Sequence, residues 1–188
     1  MTTIAAIIDG ETVWMGTDTG GLVYEGELDT YKSSKILRMK IDDDDLLCGI
    51  SGNHIVNNVL SDMEGTLSLF EDDDPVRQIR KTVVEPFRVT LKERGMMRDD
   101  DDGDYLIRGG GAVLLAFRGH IFLMASDLSI VEPALGFRAV GSGAYWAGGA
   151  LYATQYLGLD ARKRLELALE ASAHYDQYSR APFDIVKL

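Results

Sequence analysis

Thr2 stands behind a single methionine at the head of the apolar run "TIAAIID". An initiator methionine is removable when the next residue is small, and its loss leaves Thr2 a free α-amine beside its own hydroxyl. Such an amine titrates at about 7.7–8.0 and serves as a general base near neutral pH. A threonine hydroxyl activated by its own terminal amine is a nucleophile for acyl transfer. A strand beginning at once would hold that nucleophile rigidly, which loops do poorly. On these residues alone the stretch reads more simply as an ordinary chain start.

Other residues invite other chemistries. "AVGSGAYWAGG" is not a nucleophile elbow, because Val140 and Ala144 occupy places where that motif needs glycine. It also lacks the Gly-Lys-Ser/Thr of a phosphate loop, and reads most simply as a tight strand-to-helix turn with Ser142 as N-cap. His174 and Asp176 with Ser142 would make a serine triad, but no spacing among the 3 histidines singles that set out. The acidic run 99–102 with Gly103 fails as a calcium loop, since Arg98 and Gly109 fall where carboxylates are needed. Cys48 is the only cysteine, which excludes an intrachain disulfide and a cysteine metal cluster. It reads as a small buried hydrophobe. His54 reads as the start of a helix and His120 as the start of a strand.

These groups need positioning elements. Residues 3–9 and 12–17 flank Asp9-Gly10, a hairpin signal because that turn needs positive φ. "KILRMKI" and "DLLCGIS" predict a second hairpin with Asp42 to Asp45 at its solvated tip. Apolar spacing predicts a helix over about 53–69 and another over about 75–94, the latter with Asp74 as N-cap and Pro75 as its first residue. Three strands follow, "GAVLLAFRG", "HIFLMAS" and "FRAVGS". A helix from Ser142, a helix capped by Asp160 and a closing strand over 182–186 complete the chain. Strands before helices, twice over, predict an α+β fold. Two antiparallel sheets face to face, with a helix pair on each outer face, use every apolar stripe in a four-layer α-β-β-α sandwich.

The 188 residues suit a single domain, 1–188, with 46% hydrophobic residues to build its core. A formal net charge of -11 argues against nucleic-acid or anionic-membrane binding through a basic surface. No run reaches the roughly 18–20 apolar residues that span a bilayer, and nothing reads as a signal peptide. A cytoplasmic location is expected.

Several motifs together resemble one family. "MTTIAAIIDGETVWMGTD" is similar to the start of proteasome β-type subunits, and especially of the bacterial proteasome-like peptidase HslV. In that family Thr-Thr-Ile follows the initiator methionine and the second strand ends Gly-x-Asp, here Gly16-Thr17-Asp18. Lys35 in "SSKILRM" matches the family lysine that precedes an apolar strand. Ser51-Gly52 stands for its Ala-Gly, "AVGSGAYWAGGALYA" resembles its Gly-Ser-Gly turn, and "YDQYSRAPFDIVKL" resembles its terminal helix and strand. The likeness weakens at both acidic runs and across the helices between about 53 and 110.

The resemblance implies an N-terminal nucleophile (Ntn) hydrolase, a threonine peptidase that cuts unfolded polypeptides. Thr2 would be the nucleophile, Asp18 and Lys35 would set its protonation state, and the Gly52 N–H would meet the oxyanion. Ser142 would bond near the terminal amine, with Asp176 and Ser179 completing the set in the Asp-x-x-Ser spacing of proteasome β subunits. A second alignment puts His174 at the aspartate. The resemblance also implies a homo-oligomeric ring, an ATP-driven unfoldase as partner, and no metal or organic cofactor. A catalytically silent ring or scaffold subunit and a small-molecule Ntn amidase remain the alternatives.

Overall fold

The computed structural model describes residues 2–22, 28–30, 32–99, 105–107 and 110–188. Met1, whose removal the sequence reading requires, lies outside them, as do residues 100–104 of the second acidic run. The chain runs β1 (Thr3–Asp9), β2 (Thr12–Asp18), β3 (Gly20–Leu22), β4 (Leu28–Thr30), β5 (Ile36–Ile41) and β6 (Asp44–Gly52). Helix α1 (His54–Asp62) follows, then α2 (Pro75–Ile79), a π-helical turn (Arg80–Val84) and α3 (Glu85–Glu93). Next come β7 (Met97–Asp99), β8 (Tyr105–Ile107), β9 (Gly111–Phe117), β10 (His120–Met124), β11 (Ile130–Val131) and β12 (Phe137–Gly141). Helices α4 (Ala144–Thr154) and α5 (Ala161–Tyr175) and strand β13 (Phe183–Lys187) end the chain.

The strands form two larger antiparallel sheets, ordered β12-β1-β2-β13 and β11-β10-β9-β6-β5, beside the small pairs β3-β4 and β7-β8. Gly10 takes φ 62° at the β1–β2 turn, which fixes a register pairing Ile4 with Thr17 and Asp9 with Thr12. Strand alternation then sends neighbouring side chains into different cores. Ile4 and Ala6 join Val13, Met15, Leu47, Leu114, Ala116 and Ile121, a cluster drawn from both sheets. Ala5 and Ile7 instead pack with Ala147, Leu151, Leu165 and Ala168 of α4 and α5. The other parity of β6, β9 and β10 supplies Cys48, Leu115, Phe117 and Phe122 to a cluster with Val59, Ile79, Val83 and Phe87. The chain is thus mixed α/β with antiparallel sheets, each carrying helices against one apolar face.

Three expectations need correction. Helix α1 stops at Asp62, short of residue 69, because Gly65 takes φ 75° and turns the backbone. Leu67 reaches the core from beyond the helix, at 5% exposure, so its helical spacing is coincidental. Asp44 and Asp45 are not tip residues: they begin β6, and only Asp42 and Asp43 form the turn. Asp44 bonds Arg118 and Asp45 pairs with Arg38 and Lys40, which removes the need to place four aspartates in solvent. Over 75–93 the helix is continuous but carries the π turn just before Pro86, whose missing N–H cannot serve an α-helical register. Strands β3, β4, β7, β8 and β11 are short, two or three residues each, and the apolar pattern does not announce them.

Candidate active site

Strand β1 delivers Thr2 and Thr3 to the end of the first sheet, where both are buried. The hairpin register returns Asp18 to the same end, and Asp18 is 1% exposed. A buried carboxylate must be paired and hydrogen-bonded. Its Oδ1 accepts from the Thr3 N–H at 2.8 Å, from the Thr2 hydroxyl at 3.2 Å and from Lys35 Nζ at 2.8 Å. Its Oδ2 accepts from the Gly20 N–H at 2.9 Å and the Arg180 N–H at 3.4 Å. Lys35, just before β5, also donates to the Gly20 carbonyl. Burial lowers the pKa of Lys35, and the Asp18 charge and hydrogen bond oppose that, with a smaller contribution from Asp176. The Thr2 hydroxyl and the Lys35 ammonium therefore share one carboxylate oxygen.

A second arm of hydrogen bonds holds the backbone nitrogen of Thr2. That N–H donates to Ser142 Oγ at 3.2 Å. Ser142 Oγ donates in turn to Asp176 Oδ2 at 2.7 Å, and Ser179 Oγ donates to the same oxygen at 2.7 Å. Ser142 therefore does not cap α4: Gly143 is the N-cap, without a side-chain bond, and the serine is turned toward the chain start. Asp176 and His174 have different surroundings at the end of α5. Asp176 is 9% exposed and inside the network, whereas His174 is exposed and lies edge-on to Tyr175 at 4.6 Å. A Ser142–His174–Asp176 relay is absent, since Ser142 meets the aspartate directly.

Gly52 is the sequence candidate outside these hydrogen bonds. It ends β6 opposite Gly111 at φ 114°, where a Cβ would lie 2.6 Å from the Gly111 Cα. Only glycine fits that combination. Gly52 borders a cavity of about 270 Å³ that Lys35 also lines, so its backbone faces the open side of the site.

Sequence reasoning missed Thr3 and Ser172. Thr3 Oγ shares hydrogen bonds with Ser179 Oγ at 2.7 Å and with Ser172 Oγ at 2.5 Å. The signal was present: Leu165, Ala168, Leu169 and Ser172 make one buried stripe of α5, in which a serine is out of place. A Cβ on Gly143 would collide with both the Ser172 and Thr3 hydroxyls, so that glycine is a packing requirement. His54 is the first residue of α1, and His120 bonds Glu132 at 2.7 Å. Cys48 is wholly buried with its thiol pushed up to about 12, which leaves it no thiolate at neutral pH. Among the described residues no helix is long and apolar enough to cross a membrane, and no acidic, histidine or cysteine cluster is placed to hold a metal.

No family model matches the chain, and no curated protein matches it. Among solved structures it is similar to BPH from Thiobacillus denitrificans, at 25% identity and TM-score 0.78, over 100% of this chain and 97% of that one. The same protein in complex with epoxomicin matches at 24% identity and TM-score 0.79, over 100% and 98%. Eukaryotic HslV from Trypanosoma brucei matches at 19% identity and TM-score 0.69, over 100% and 99%. These are proteasome-type Ntn-hydrolase folds, and the fold described above is of that type.

Proposed function

We propose that this chain, with its proteasome-type Ntn-hydrolase fold, is a threonine endopeptidase whose nucleophile is Thr2 after removal of Met1. The observation that carries the reading is the double use of Asp18 Oδ1, which receives both the Thr2 hydroxyl and the Lys35 ammonium. In this reading Thr2 Oγ attacks a peptide carbonyl carbon while its proton passes, through a water, to the free Thr2 amine. The Gly52 N–H meets the developing oxyanion, and one such donor is worth roughly 2.7–4 kcal/mol at the transition state. Collapse breaks the C–N bond, and the Thr2 ammonium returns its proton to the leaving amine. A water deprotonated by the same amine then hydrolyses the ester.

Ser142, anchored by Asp176 and Ser179, fixes the nitrogen that must act as base. Lys35 beside Asp18 keeps positive charge near the hydroxyl and favours the alkoxide as it forms. No metal or organic cofactor takes part in these steps. The finer architecture we assign is a single-domain four-layer α-β-β-α sandwich, supported by three separate apolar clusters: one shared by the two sheets and one between each sheet and its helices. A cytoplasmic homo-oligomeric ring that receives unfolded polypeptide from an ATP-driven unfoldase is the setting consistent with the fold. Such a ring keeps a peptidase away from folded neighbours.

The mechanism stands on a free Thr2 amine. Intact-mass measurement of the purified protein is expected to give a chain lacking Met1. A protein uniformly retaining Met1 has an amide at that nitrogen and contradicts the reading.

A further inference from the structure

The cavity of about 270 Å³ beside the site has a polar lining, and one member of it is unsatisfied. Lys35 and Gly52 line it, Ser33 and Ser34 bring hydroxyl side chains, and His54 and Asn57 enter from α1; Lys35 reaches Thr2 through Asp18 Oδ1. His54 and Asn57 are three residues apart and so occupy one helix face. Asn57 Oδ1 is buried without a hydrogen-bond partner. A buried polar atom left unpaired forfeits its desolvation cost, and native proteins rarely leave one so. The terminal torsion of an asparagine is broad, so its amide turns toward a ligand at little cost.

Resting on the peptidase reading above, in which this cavity takes the substrate side chain next to the scissile carbonyl, we propose that Asn57 makes it select a carboxamide there, glutamine above all. A peptide carbonyl placed between Thr2 Oγ and the Gly52 N–H puts the adjoining side chain at this opening. Each other class of side chain meets a specific obstacle. A lysine or arginine meets the Lys35 ammonium, while the described lining residues include no carboxylate. A glutamate must share that ammonium with Asp18, which already holds it. His54 offers little help, because burial and then nearby positive charge, Lys35 included, lower its pKa. A leucine fills space against Ile50 and leaves Asn57 Oδ1 unpaired. A glutamine carries one donor and one acceptor group, so it pairs with the Asn57 amide in either orientation.

The test uses mature full-length protein and four fluorogenic peptides that differ only in that side chain: Gln, Leu, Glu and Lys. The expected result is a kcat/KM for Gln at least about 10-fold above each of the others, the size of a hydrogen-bond discrimination. In Asn57→Leu the order inverts, with Leu ahead of Gln. Turnover above the Thr2→Ala background with Leu, Glu or Lys preferred overturns the pocket assignment and leaves the peptidase reading intact. An unchanged Gln preference in Asn57→Leu overturns the role of Asn57. Absence of turnover for all four peptides overturns the peptidase reading, and the pocket assignment with it.

Discussion

Thr2→Ala protein is expected to hydrolyse unfolded polypeptide roughly 10⁴-fold or more slowly than the unchanged chain, while staying folded. In the peptidase reading the two effects separate because the hydroxyl plays two unequal parts. As nucleophile it has no substitute, and loss of the attacking group in a hydrolase of this kind removes most of the rate enhancement. As a structural group it makes one hydrogen bond of 3.2 Å to Asp18 Oδ1, an oxygen that keeps the Thr3 N–H and Lys35 as donors. Loss of such a bond costs about 1 kcal/mol. Thr2→Ser retains hydroxyl and amine and is expected to restore measurable turnover. Assay of casein-like unfolded substrate alongside thermal melting reads both quantities. Activity in Thr2→Ala equal to that of the parent would mean that another group does the cutting.

Lys35→Met is expected to fail on both counts at once. Lys35 and Asp18 have side-chain exposures of 5% and 1%, so each is the other's counter-charge in a site nearly free of solvent. Removing one partner of a buried pair leaves an uncompensated charge and costs about 3–5 kcal/mol. The methionine chain fills the volume but offers Asp18 no proton. The pH dependence carries the same signature. Burial lowers the pKa of Lys35 in the fold, whereas the unfolded lysine holds its proton to about 10.4. Between those two values the unfolded chain binds more protons, so this group's contribution to stability rises with pH across that window. That contribution is absent from the methionine variant. In the peptidase reading the alkaline limb of kcat/KM lies below the ordinary lysine range, since deprotonated Lys35 no longer supports the alkoxide. Chemical denaturation at pH 7 and 9.5 and a pH–rate profile measure the two consequences. A Lys35→Met protein as stable and as active as the parent would show that the pair has no part in either.

What could be read from residue order alone follows from how local the deciding physics is. The β1–β2 hairpin was legible because Asp9-Gly10 sets its own turn, and that turn carries Asp18 back to Thr2. Asp74 and Pro75 likewise announce their helix without help from the rest of the chain. The end of α1 was not legible, since Leu67 continues a helical spacing that Gly65 interrupts through its backbone. Ser142 shows the same limit at the site. A serine before a helix satisfies the rule for an N-cap, and only the fold reveals that Asp176, 34 residues away, takes its hydroxyl. Lys35 was legible only through the family resemblance, because nothing beside it in the sequence supplies Asp18, its partner 17 residues away. Asn57 sits half-buried on α1 with nothing in its neighbours to mark it, and its unpaired oxygen is a property of the packed structure.

The central claim is that Thr2 presents a hydroxyl and a free amine together, and a peptide epoxyketone tests both groups in one reaction. The Thr2 hydroxyl adds to the ketone and the α-amine opens the epoxide, closing a ring that adds the whole inhibitor mass. Peptide mapping after incubation is expected to place that mass on an N-terminal peptide beginning at Thr2, and none on Thr2→Ala protein. Unmodified Thr2 in the treated protein, or the added mass on another residue, would contradict the account.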